Sequence, residues 1–164
     1  MSVRRPAAVD GRALDSRPPR LSFGPLAGIV GFHIARAAVT TYDAFERFIG
    51  KPFDLRKVEF SLLMLVQANE AIAPKRLARA LAVTAPNLTL LLDRLQDRGL
   101  IQRERNPLDG RSQNVVLTEK GRRLARDAAA AAEPMERELL DNLSGAEHAM
   151  LIELLDKLSG RAQP

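Results

Sequence analysis

The chain has 164 residues, 46% hydrophobic and 27% charged, enough for one ordinary domain with a buried core and too little for most multidomain enzymes. Aromatics make up only 4% and there is no Cys, which excludes disulfide scaffolds, Cys-ligated zinc, iron–sulfur clusters and thiol nucleophiles and favours helix over sheet. The net charge of +5 is unevenly spread: Lys and Arg outnumber Asp and Glu by 5 to 2 in residues 1–20 and 11 to 5 in 75–123, balance at 5 each in 21–74, and trail by 4 to 8 in 124–164. A localised basic block is the electrostatic footprint of a nucleic-acid partner, since each neutralised phosphate releases counterions.

Residues 1–20, with Pro6, Pro18, Pro19 and five arginines, lack an apolar period and read as a flexible basic arm. The apolar run from Phe23 to Val39 is interrupted by Gly24-Pro25, His33 and Arg36, which argues against an export leader or a membrane span and for a cytoplasmic protein. Leu26, Ile29, Val30, Ala37, Phe45 and Phe48 recur at helical spacing, and Gly50-Lys51-Pro52 is expected to stop that helix. Asp54 is the expected N-cap of the next one, with Val58, Leu62, Leu65 and Val66 on its apolar face. Pro74 opens a short helix whose Leu77, Ala78 and Leu81 face inward, opposite Lys75, Arg76 and Arg79.

Ala82-Val83 then forms a tight connection to Thr84, the expected cap of a helix with Leu88, Leu91, Leu92 and Leu95 in one buried stripe. Leu90 projects almost opposite that stripe, beside Asp93 and Arg94, where apolar contact with a thymine methyl is what it can offer a major groove. Gly99 ends the helix. Ile101 to about Arg105, the turn Asn106-Pro107-Leu108-Asp109-Gly110, and Gln113 to Leu117 read as a β-hairpin. Thr118 caps an Ala-rich helix from about Glu119 to Asn142, with a kink expected at Pro134. Ser144-Gly145-Ala146-Glu147 is a capping box opening a last helix with Leu151, Leu154, Leu155 and Leu158 on one face.

Two short helices joined by a tight turn and followed by a hairpin form a winged helix-turn-helix. The fold class is therefore mainly α, with a hairpin wing and long terminal helices. Lys75, Arg76 and Arg79 on the first helix, Asn87, Thr89 and Arg94 on the second, and Arg103, Arg105 and Arg111 on the hairpin are types that grip phosphates or read base edges. Singly, each could be an ordinary solvated residue. Their joint placement favours DNA binding. Terminal helices with broad apolar faces outside this lobe need a partner surface, and the acidic C-terminal part should lie away from DNA.

The segments Leu77-Ala78, Leu81-Ala82-Val83-Thr84, Leu92-Asp93-Arg94-Leu95, Arg98-Gly99-Leu100-Ile101, Asp109-Gly110-Arg111 and Val116-Leu117-Thr118-Glu119-Lys120-Gly121 resemble the MarR (multiple antibiotic resistance regulator) family. The resemblance covers roughly residues 24–160, and the wing followed by Leu-Thr-x-x-Gly is its most specific element. It implies a homodimeric transcription regulator, usually a repressor, which binds double-stranded DNA and in many members releases it on binding a small aromatic or anionic effector. It matches Arg111 to the family's wing-tip arginine and Thr84, Asn87 and Thr89 to its recognition-helix positions. Leu90 stands where a basic residue is common. The implied division is a DNA-binding lobe at about 54–120 within a domain at 21–164, with dimerisation helices at 23–50 and 119–160. His33, Arg36, Tyr42 and Met64 lie on the helices that would border an effector cleft, although a lone His or Tyr there also suits a core or interface.

An enzyme is not expected: His33 and His148 are far apart, and no phosphate loop, nucleophile elbow or zinc-spaced cluster is present. Asp93 and Asp109 each lie beside an arginine and read as ion-pair partners. No cofactor, metal or membrane partner is implied. The alternative is a winged-helix module that binds protein without sequence-specific DNA recognition.

Overall fold

The computed structural model describes residues 21–105 and 113–160. The first expected helix divides into pieces. A 3-10 turn, Gly24–Gly28, opened by Pro25, leads through extended Ile29 into α1, Val30–Phe45. A π-helical turn, Glu46–Gly50, follows, and α2, Lys51–Phe53, continues directly from it. The Gly50-Lys51-Pro52 stop therefore acts late: the backbone stays helical through Pro52 to Phe53 and ends at Asp54. Asp54 is corrected likewise. It is left-handed (φ 50°) and closes α2 rather than capping α3, Lys57–Asn69. The start of α3 is held instead by Glu59, whose carboxylate accepts the Arg56 backbone N–H at 2.8 Å.

Helices α4, Pro74–Leu81, and α5, Ala85–Asp97, are joined through Ala82, left-handed at φ 55°, and the Val83 N–H donates to the Ala78 carbonyl at 3.1 Å. Leu88, Leu91, Leu92 and Leu95 are all buried, as their spacing requires. Strands β1, Ile101–Arg105, and β2, Gln113–Leu117, pair antiparallel with Ile101 opposite Leu117. Ile72 adds a third strand position by bridging to Val115, a pairing the sequence pattern did not reveal.

Helix α6, Glu119–Leu139, runs on through Pro134 and ends short of Asn142. Its start explains the Leu-Thr-x-x-Gly motif. The Thr118 hydroxyl accepts the Gly121 N–H at 3.0 Å and donates to the Gly99 carbonyl at 2.7 Å. A Cβ on Gly121 would stand 1.9 Å from the Leu100 carbonyl oxygen, so glycine alone permits this approach of helix and strand. Helix α7, Gly145–Ser159, is opened by the expected Ser144–Glu147 capping box.

The core is one cluster in which Leu62, Leu63 and Val66 of α3 meet Leu77, Leu95, Ile101, Val115 and Ala125. It leaves the terminal helices largely uncovered. Helix α7 buries none of its residues, and α1 buries only Ala44 and Phe45. Leu26, Ile29, Val30 and Ile34 near the start, and Leu151, Leu154, Leu155 and Leu158 near the end, are exposed.

Candidate DNA interface and the cavity behind it

Exposed Lys75, Arg76 and Arg79 lie on the side of α4 opposite buried Leu77. This is the amphipathic arrangement read from spacing. Thr84 takes the N-cap position of α5 in extended conformation, but its hydroxyl makes no capping hydrogen bond; the cap expected of it is absent, and the side chain is exposed. Asn87, Thr89, Leu90 and Arg94 are exposed along α5.

The polar groups of α5 differ in what they touch. Thr89 Oγ1 donates back to the Ala85 carbonyl at 3.1 Å. Asp93 Oδ1 lies 2.5 Å from Arg103 Nη2, so the wing is tied to α5; Asp93 is an ion-pair partner as expected, but of Arg103 rather than of the arginine beside it, Arg94. Arg94 turns toward the protein, with Nη1 3.7 Å from Glu59 Oε1. Arg105, at the far end of β1, is exposed. Arg111 and its neighbour Asp109 lie outside the described residues.

Glu59 was not singled out by its sequence context. Glu59 is 2% exposed; its carboxylate caps α3 and stands 3.7 Å from both Arg94 and Arg98, while Arg98 also reaches Asp54 at 3.4 Å. An acidic residue three places into a helix signals a cap. Nothing local reveals that α5 folds back over it.

These groups border a cavity of about 690 Å³ between the end of α1, the start of α3 and the C-terminal half of α5. Of the four effector candidates, only Tyr42 lines it. Lys57 sits over the Tyr42 ring, and burial pushes its ammonium below the usual lysine range. His33 and Arg36 lie elsewhere, near the start of α1. The His33 Nε2 is 2.9 Å from the Ala27 carbonyl, and the Arg36 guanidinium is 4.7 Å from the Phe23 ring centre. Met64 is half-buried and packs against the core. The four candidates are thus not brought together.

The lobe just described coincides with the match to a known family. The model of the MarR family covers residues 55–113. The transcriptional regulator HosA of Escherichia coli O111:H- is 31% identical over 94 residues, which span 57% of this chain and 70% of HosA. The chain belongs to the MarR family. Among solved structures, the transcriptional repressor CouR bound to a 23-mer DNA duplex superposes with a TM-score of 0.77 at 31% identity, over 85% of this chain and 98% of CouR. BpsR of Bordetella bronchiseptica, whose DNA binding is regulated by 6-hydroxynicotinic acid, superposes with a TM-score of 0.74 at 25% identity, over 83% of this chain and 96% of BpsR.

As a MarR-family member the protein is a DNA-binding transcription regulator and not an enzyme. Its architecture is the mainly helical winged helix read from sequence. Among the described residues, no group of three or more His, Asp or Glu could hold a metal ion, and no helix is long and apolar enough to cross a membrane.

Proposed function

We propose that this regulator is a cytoplasmic, ligand-responsive repressor that acts as a homodimer on an inverted repeat. One observation carries the reading: the large apolar side chains left open by the core lie almost entirely on the segments flanking the lobe, whereas α4, α5 and β1 display Lys75, Arg76, Arg79, Asn87 and Arg105. Apolar terminal helices bury that surface against a second copy, and two-fold symmetry then sets two recognition helices about one DNA turn apart, roughly 10 base pairs. In this reading residues 23–50 and 119–160 form the dimer, and residues 54–120 read DNA. CouR, a repressor, supports the sign of regulation.

Within the lobe, α4 and the wing grip phosphates, while α5 enters the major groove with Thr84, Asn87 and Thr89 toward base edges. Arg103 and Arg94 act as much by fixing α5 as by touching DNA, because each is engaged by a carboxylate. Arg111 supplies the wing-tip contact, and the basic arm adds charge without sequence information.

BpsR supports a small-molecule response. An aromatic or anionic ligand entering the cavity beside Tyr42 and Lys57 meets Arg94 and Arg98 on the recognition helix, and competition with Glu59 for them shifts α5. His33, Arg36 and Met64 affect this response through the helices that frame the cavity.

The reading is tested by sedimentation of the protein alone and by footprinting on genomic fragments. A dimer protecting two half-sites about 10 base pairs apart is expected. A monomer protecting one short site overturns it, and the absence of protection at low salt favours a protein-binding module instead. A thermal-shift screen of aromatic acids and other small anions tests the ligand response, since binding raises the melting temperature by mass action.

A further inference from the structure

Leu90 stands on the outward line of α5 with 65% of its surface open to solvent. Among the described residues, the other exposed large apolar side chains belong to the flanking segments 21–42 and 143–158. Leu90 alone of them lies within the helix-turn-helix.

Its surroundings narrow what it can do. The Thr89 hydroxyl is turned back to the Ala85 carbonyl, Asp93 holds Arg103, and Arg94 faces Glu59. One turn before Leu90 on the same line is Pro86, which is exposed and has neither a backbone N–H nor a polar side chain. The N-terminal end of α5 therefore presents the Thr84 hydroxyl at its cap and the Asn87 amide beside an apolar pair, Pro86 and Leu90.

An exposed leucine in isolation carries no message, because folded surfaces hold many apolar atoms. On a face that enters a major groove the case differs. Leucine there forgoes every hydrogen bond to a base, and it gains only by displacing water from an apolar group. The 5-methyl of thymine is the apolar group that a major groove displays. We propose that Leu90 is a specificity-determining residue that reads a thymine methyl in each half-site by apolar contact. The inference rests on sequence-specific binding through α5.

The test uses the full-length protein at one fixed salt concentration, on duplexes enriched from a random pool by repeated binding and sequencing. Each thymine of the tightest duplex is replaced in turn by uracil, which removes only the methyl. At one or two positions per half-site the wild type should lose about fourfold in affinity, the amount corresponding to burial of one methyl-sized group. Leu90→Ala, at a solvent-exposed position, should melt with the wild type and bind the thymine and uracil duplexes equally. Leu90→Arg should bind more tightly to all duplexes and shift the enriched base toward guanine.

Wild-type affinity that is unchanged on an all-uracil duplex overturns the methyl contact while leaving sequence-specific binding intact. A thymine–uracil difference that persists in Leu90→Ala gives the methyl to another residue and also overturns the inference. A pool that enriches no sequence overturns specific recognition altogether, and the role of Leu90 with it.

Discussion

The guanidinium of Arg103 on the first wing strand lies 2.5 Å from the Asp93 carboxylate on the recognition helix. Two elements that would contact DNA at different grooves are thereby coupled before any DNA is present. Both side chains are partly open to solvent, so the pair itself should be worth no more than about 1 kcal/mol. Its larger consequence is electrostatic. Asp93→Asn removes a negative charge from the side proposed to face DNA and frees Arg103 for phosphate. Affinity for all duplexes should rise together, and the slope of log K against log salt should steepen by about one. A slope equal to that of the wild type means that Arg103 stays clear of the backbone.

Glu59 combines a helix cap with two arginine contacts at a site almost closed to water. Glu59→Ala removes the acceptor of the Arg56 N–H, leaves the Arg94 guanidinium without its carboxylate and leaves Arg98 with Asp54 alone. It should destabilise the fold by about 1–3 kcal/mol in urea unfolding. Glu59→Gln keeps an acceptor for the cap and should lose less. If the two variants unfold together, the arginine contacts, rather than the cap, dominate.

Leu151 and Leu155 stand four residues apart on α7, exposed and on one face. The double change Leu151→Glu and Leu155→Glu should yield a monomer in sedimentation, because two charges cannot be buried in an apolar interface without partners. Affinity for a two-half-site duplex should fall by about 100-fold or more as the second half-site is no longer engaged intramolecularly. A double variant that remains dimeric places the interface elsewhere.

Residues 1–20 carry five arginines against two acidic residues. Their deletion should weaken binding to every duplex by a similar factor and flatten the salt dependence, by about 0.9 in slope for each phosphate that the arm neutralises. A change in the preferred sequence, read by repeating the pool selection with the truncated protein, would show that the arm reads bases.

Hydrogen bonds from the Ser144 backbone and hydroxyl hold the Glu147 carboxyl below the usual glutamate range. A carboxylate favoured in the folded state contributes stability above its unfolded pKa, and that contribution is lost as pH falls through the depressed folded value. The melting temperature should therefore decline on the acidic side of the ordinary glutamate pKa. Ser144→Ala should melt lower at neutral pH and lose part of that acid dependence. Parallel pH profiles for the two proteins would exclude this cap as the source.

Periodicity and punctuation alone determined most of the lobe. The four-leucine stripe of α5, both hairpin strands and the Ser144 capping box were legible because each depends on residues a few positions apart. The errors lie where distant packing overrides a local signal. Gly50-Lys51-Pro52 reads as a stop, yet a π-turn carries the helix onward and places Asp54 at its end. Tertiary structure also decided which polar groups of α5 remain open to solvent. Whether Arg94 faces phosphate or Glu59, and whether Arg103 faces solvent or Asp93, depends on how α3 and β1 pack against that helix, since contacts across tens of residues leave no period in the chain. The effector candidates dispersed for the same reason: His33, Arg36, Tyr42 and Met64 share helices, but a helix turns 100° per residue, and only Tyr42 is aimed at the cavity.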